Sequence, residues 1–88
     1  MTEKTEIKKR AGAYSKEKTF TYIKEIMPDG KEFFYNGFIK KVYDDVIIFF
    51  DIVLKRDFPV LIESIEIIEP SRKDIEIKTA WEIYKNAR

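Results

Sequence analysis

The 88 residues predict a mainly β protein: a small five-stranded barrel followed by a C-terminal α-helix. Three observations lead there. Between Thr19 and Pro70, five stretches rich in Val, Ile, Phe, Tyr and Thr alternate with compact turn signals, the pattern of short strands in meander order. The first two stretches are joined by Met27-Pro28-Asp29-Gly30, where proline fixes φ and glycine supplies φ > 0. After Ser71 the apolar spacing changes to three and four residues, the helical period.

Residues 1–18 are polar and alternate in charge, with little to bury. They are expected to form a solvated, partly disordered N-terminal arm in which Lys8-Lys9-Arg10 is available to a phosphate. Residues 19–70 are expected to form the barrel. Its first strand enters the Pro28-Asp29-Gly30 turn, and the second runs from about Lys31 to Tyr43, long enough to be bent. Gly37 lies inside that strand, which marks a bend or bulge where backbones approach closely. Asp44-Asp45 turns the chain into a third strand, Val46 to Val53, and Lys55-Arg56-Asp57 forms the next loop. Phe58 to Ile62 is the fourth strand, its Pro59 placing it at an edge. The tight Glu63-Ser64 turn leads to the fifth, Ile65 to Glu69. Residues 71–88 are expected to hold the helix, from about Arg72 to Asn86, with Ser71 and Asp74 as a capping box. Trp81 and Tyr84 on that helix are expected to pack on the barrel.

Composition narrows the function. A chain this short buries only about 60% of the surface its unfolded form exposes, so a single core is marginal. The absence of cysteine removes disulfides and thiolate metal sites, and the absence of histidine removes the commonest general base and metal ligand. No enzyme activity, cofactor or metal is therefore expected. Asp44, Asp45 and Asp51 are the acidic residues nearest a cation site, but their spacing does not make them converge. No apolar run approaches the roughly 20 residues of a membrane span, and the charged start MTEKTEIKKR is unlike a signal peptide, so a cytoplasmic location is expected. Richness in Lys, Glu and Ile without Cys fits a thermophilic source or an AT-rich genome. Residues 1–19 carry six basic and three acidic side chains, residues 20–70 six and ten, and residues 71–88 five and three. That is a weak basic footprint for a nucleic-acid binder.

A meander of five short strands with a bent second strand has the outline of an SH3-like barrel. Within it, Asp29-Gly30-Lys31-Glu32, Gly37-x-Ile39-x-x-Val42, the acidic turn Asp44-Asp45, Val46 to Phe50 closed by Asp51, and Val60-Leu61-Ile62 with Ile65-x-Ile67-Ile68-x-Pro70 resemble the Sm-like (LSm) family over residues 22–70. The resemblance implies ring assembly, through pairing of the fourth strand of one subunit with the fifth of the next, and single-stranded RNA as a partner. The family's base-holding residues are not carried over: Tyr43 and Ile47 stand where it has aspartate and asparagine, and Glu63-Ser64 where it has Arg-Gly. Its helix usually precedes the barrel. Lys40, Lys41 and Tyr43 remain as candidate RNA contacts, by phosphate pairing and stacking.

Strands two and three are apolar on both faces, with Phe33, Tyr35 and Ile39 against Phe34, Phe38 and Val42, then Val46, Ile48 and Phe50 against Ile47, Phe49 and Val53. A barrel interior uses one set, so the second must meet the helix, a ligand or another copy. A homo-oligomer, dimer or ring, is expected, with Phe34, Phe38, Phe49, Val60, Ile62 and Ile67 at its interface. Two functions stay open: an RNA-binding assembly module without catalysis, and a protein-interaction or structural subunit that has lost the RNA site.

Overall fold

The computed structural model describes residues 4–73 and 76–87. Helix α1 (Lys4–Glu17) precedes five strands, β1 (Thr21–Ile26), β2 (Glu32–Val42), β3 (Val46–Asp51), β4 (Arg56–Leu61) and β5 (Ile65–Pro70). A single 3₁₀ turn, Ile62–Ser64, joins the last two strands, and helix α2 (Ile77–Asn86) follows. All pairings are antiparallel in one sheet of order β4-β3-β2-β1-β5.

That order forces the sheet to curl. Laid flat, β4 and β5 would lie about 19 Å apart, four strand spacings. The four steps from Leu61 to Ile65 span at most about 14 Å. The sheet therefore rolls until its edges face each other's vicinity, yet β4 and β5 are not paired. The barrel expected from the sequence is an open, curled sheet.

Each sheet face carries its own core. The inner face holds Ile23, Ile39, Ile47, Phe49, Val60, Ile65 and Ile68, closed by Ile62 of the 3₁₀ turn and by Ile7 and Ala11 of α1. The outer face holds Phe20, Phe38, Phe50 and Ile52 under Ala80, Trp81, Ile83 and Tyr84 of α2. Phe38 stacks on Tyr84 with ring centroids 5.1 Å apart and meets Trp81 edge-on at 5.4 Å, so these two aromatics pack on the sheet as the sequence suggests.

Residues 4–17 correct the expected disordered arm. Ile7, Ala11 and Tyr14 lie four and three apart, a narrow apolar stripe that suffices when the sheet supplies the other half of the contact. The helix ends in a Schellman motif: Thr19 N–H donates to the Tyr14 carbonyl at 2.9 Å and Lys18 N–H to that of Ser15 at 3.3 Å. Lys18 takes the left-handed conformation that glycine usually fills there, with φ of 56°.

Gly30 has φ of +90° and donates its N–H to the Met27 carbonyl at 2.8 Å, so the Pro28-Asp29-Gly30 turn forms as expected. At Gly37 the backbones close in: a Cβ there would lie 1.8 Å from the Phe50 carbonyl oxygen. The β2–β3 register shifts between Ile39 and Lys41. This bulge reverses the alternation, so Val42 joins Ile39 on the inner face rather than Phe38 on the outer. The loop placed at Lys55-Arg56-Asp57 lies earlier, since β4 already begins at Arg56. Helix α2 begins at Ile77 and not near Arg72. Ser71 is held otherwise: its N–H donates to the Phe20 carbonyl at 2.8 Å, and its Oγ accepts the Lys73 N–H at 3.1 Å. The second member of the expected capping box, Asp74, lies outside the described residues.

Candidate functional site

Three regions left over from core formation are candidates: the turn between β2 and β3, the two sheet edges, and the part of the outer face that α2 leaves uncovered.

The acidic turn is tied to α1. Lys8 Nζ donates to Asp44 at 2.8 Å, and Lys4 Nζ donates to Asp45. The Lys8 ammonium holds the Asp44 carboxyl below its usual range, and the bond to Asp45 raises Lys4 above its usual value. Asp51 serves a different purpose. It is buried, and its carboxylate accepts the N–H groups of Val53 at 3.0 Å, Leu54 at 2.7 Å and Asn36 at 3.3 Å, which fixes the β3–β4 turn. The three carboxylates thus go to separate partners. The Lys8-Lys9-Arg10 run is likewise part of the fold, since Arg10 bonds Glu6 at 3.1 Å and the Ile68 carbonyl at 3.4 Å.

The three RNA contacts expected from the sequence divide. Lys41 lies over the ring of Tyr43, 5.9 Å from its centroid, and Tyr43 is 48% exposed. Lys40, at the bulge, pairs with Asp57 of β4 at 2.7 Å and lines a cleft of about 620 Å³ with Tyr84 and Lys85 of α2. The six expected interface residues divide too. Phe38, Phe49, Val60 and Ile62 are buried within the subunit, because each face of the sheet has a helix of its own to meet. Only Phe34 is well exposed, with Ile67 half-buried.

Among the described residues both edges are open: β4 pairs only with β3 and β5 only with β1. Pro59 has no N–H, so in the ladder with β3 it must take a position whose amide side faces outward. By the two-residue period, Asp57 and Leu61 then also direct their amides away from β3. Leu61 is 49% exposed.

On the outer face, α2 packs over the β2–β3 half, while the start of β2 is exposed and the outward residues of β1 and β5 are half-buried. There Tyr22 and Phe34 stack with ring planes 13° apart and centroids 6.4 Å apart, and Phe34 is 56% exposed. Beside them Tyr22, Asn36, Glu69, Arg72 and Lys73 line a shallow cleft of about 350 Å³. Sequence reasoning did not single out this group. The signal that locates it is the hairpin register, in which Tyr22 faces Asn36 and Phe34 faces Lys24, making the two rings diagonal neighbours. Inside the inner core's open end, Tyr35 Oη donates to Glu25 at 2.8 Å, and burial together with that carboxylate pushes the phenol well above its ordinary value.

Among the described residues no helix is long and apolar enough to cross a membrane. Comparison with family models, with curated proteins and with solved structures gives no match.

Proposed function

We propose that this chain is a non-catalytic assembly module, Sm-like in layout, whose copies join by pairing β4 of one with β5 of the next. One observation carries the reading: each subunit ends in two unlike open edges, β4 and β5, of six residues each. Unpaired edges are ready templates for another strand. Because the two edges differ, pairing them is head-to-tail, which closes into a ring or runs on as a filament. The short 3₁₀ turn keeps the edges of one subunit near each other, so each added copy turns the direction of growth and favours closure. A helix before the strands, now present as α1, and the acidic turn fit the same resemblance. The separate commitments of Asp44, Asp45 and Asp51 support the absence of catalysis.

Leu61→Pro tests it. Leu61 has φ of −69°, already suited to proline, and its amide faces away from β3, so the change removes only an outward donor. Light scattering at micromolar concentration is expected to give a multiple of the single-chain mass for the natural chain and a smaller assembly for Leu61→Pro, with unchanged circular dichroism. A clean single-chain mass for the natural protein overturns the proposal.

A further inference from the structure

The turn between β3 and β4 exposes apolar side chains that neither helix covers. Val53 is 66% exposed and Leu54 54%, adjacent at a tip where polar residues are usual. Lys55 and Arg56 follow at once, both exposed. The acidic residues around them are committed elsewhere. Asp57 holds Lys40 at 2.7 Å, and Glu82, which lines a cleft with Lys55, holds Lys85 at 3.4 Å. Asp51 is buried, with its carboxylate on the turn's own amides. Lys55 and Arg56 themselves pair with no acidic side chain among the described residues. An apolar tip therefore stands beside two unneutralised cations.

The backbone of this tip is suited to leaving water. Ile52 N–H donates to the Asn36 carbonyl at 3.0 Å and Lys55 N–H to the Asp51 carbonyl at 2.8 Å. Between them, the N–H groups of Val53 and Leu54 donate to the Asp51 carboxylate at 3.0 and 2.7 Å. No amide from Ile52 to Lys55 needs a bond to water, and an unsatisfied amide is what keeps most loops out of an apolar medium. The tip is also held in place: Ile52 is buried in the outer core under α2, and Lys55 closes the turn in the left-handed conformation, with φ of 56°. Lys55 and Arg56 further line a cleft of about 390 Å³ with Asn86 and Ala87 at the end of α2, room for a phosphate-bearing headgroup.

Size and charge decide the occupant. Two side chains fall far short of the roughly 800 Å² that each partner gives to a stable protein interface, whereas the boundary of a bilayer accepts a small apolar tip without matching its shape. Cations beside such a tip are drawn to anionic lipid and gain nothing from an apolar protein groove. We propose that the β3–β4 turn is a membrane-surface anchor: Val53 and Leu54 enter the boundary between headgroups and acyl chains of an anionic bilayer, and Lys55 and Arg56 lie on the lipid phosphates. The contact is peripheral and spans nothing. Every group in it belongs to one subunit, so it stands apart from the edge-pairing proposal.

Sedimentation with unilamellar vesicles tests it on the full chain, at about 0.1–5 mM lipid because even a myristoyl chain binds with only about 10⁴ M⁻¹. Vesicles rich in phosphatidylserine are expected to bind more tightly than pure phosphatidylcholine, and the difference to shrink as salt rises. Lys55→Asn with Arg56→Gln is expected to weaken binding to the anionic vesicles by about 25-fold, about fivefold for each cation. Asparagine tolerates the left-handed conformation of Lys55. Val53→Ser with Leu54→Ser is expected to weaken it by about tenfold or more, with unchanged circular dichroism, since both side chains are exposed. The chain has no cysteine, so Leu54→Cys carries an environment-sensitive fluorophore at one position; its emission is expected to shift to the blue on anionic vesicles. The same label at Glu63→Cys, exposed at the other end of β4, is expected not to shift. Three outcomes overturn the proposal: no sedimentation with anionic vesicles at about 5 mM lipid; unchanged binding in Val53→Ser with Leu54→Ser; or a shift at Leu54→Cys that follows protein concentration without lipid, which gives the tip to a second copy. The first of these, with the chain still self-associating, leaves the edge-pairing proposal standing.

Discussion

Replacing Gly37 by alanine probes the closest backbone approach in the sheet. The added Cβ would sit 1.8 Å from the Phe50 carbonyl oxygen, 2.9 Å from its carbon and 3.2 Å from the Asp51 Cα. All three are backbone atoms, so no rotamer change relieves the clash. Restoring ordinary contact requires β2 and β3 to part by about 1.5 Å, which exceeds what a hydrogen bond tolerates. The pairs at risk are Gly37 with Asp51 and Phe38 with Phe50, together with the 3.0 Å bond from Ile52 N–H to the Asn36 carbonyl. Three lost bonds at about 1 kcal/mol each, plus about 1–2 kcal/mol of disturbed packing around Phe38 and Phe50, amount to about 4–5 kcal/mol. That is most of the stability of a small domain. Thermal melting by circular dichroism is expected to show a midpoint lower by about 16 °C or more, or no folded state at all. Gly12→Ala is the control: Gly12 lies inside α1 with nothing within 4 Å of the added carbon, so the midpoint is expected to rise by about 2–8 °C. A Gly37→Ala midpoint within about 4 °C of the natural chain would refute the close β2–β3 approach.

Asp51→Ala leaves the amides of Asn36, Val53 and Leu54 without their shared acceptor, and is expected to cost about 2–4 kcal/mol in urea unfolding, with the loss of amide protection concentrated at the β3–β4 turn. Phe38→Ala removes the ring under Trp81 and Tyr84. It is expected to cost about 3–5 kcal/mol and to red-shift the fluorescence of Trp81, the single tryptophan, as α2 loses its seat. Tyr35→Phe deprives the buried Glu25 of its donor and is expected to cost about 1–3 kcal/mol at neutral pH. Because the folded chain holds the Tyr35 proton more tightly than the unfolded chain, its stabilisation is complete below about pH 10 and is lost as pH rises through the folded-state value. Lys4 and Lys24, raised by their carboxylate partners, add to the same alkaline decline. The denaturation midpoints of the natural chain and Tyr35→Phe are therefore expected to converge above pH 10, and a constant gap would count against the assignment.

The strands were legible because their signals are local. Val, Ile and aromatic runs bounded by Pro28-Asp29-Gly30, Asp44-Asp45 and Glu63-Ser64 sit close to the observed β1 to β5, and Gly37 announced a close approach that the geometry bears out. Helix α1 was not legible as a helix because its core-facing stripe is three residues, Ile7, Ala11 and Tyr14, among charges, too little to fold without the sheet beneath it. That omission propagated. With one helix in hand, two apolar sheet faces imply a neighbouring copy to cover the second. With two helices, Phe38, Phe49, Val60 and Ile62 are satisfied inside one subunit. The bulge between Ile39 and Lys41 was hidden for a related reason: it is a property of pairing between strands, and no residue in β2 alone encodes the reversal that turns Val42 inward.

What the two helices leave uncovered is therefore more informative than apolar content as such. Each covers its own stretch of the sheet, α1 the inner face and α2 the β2–β3 half of the outer. The residue of this division is the pair of open edges and the Tyr22–Phe34 surface beside Arg72 and Lys73. Phe34 is the one strongly exposed residue of the six assigned to an interface, and its neighbours are a stacked ring, an amide donor, a carboxylate and two cations. Apolar burial against a second copy would leave those polar groups unpaired at about 1–3 kcal/mol each. The chemistry of these neighbours, and not the exposed ring alone, distinguishes this surface from the two apolar cores that the helices close.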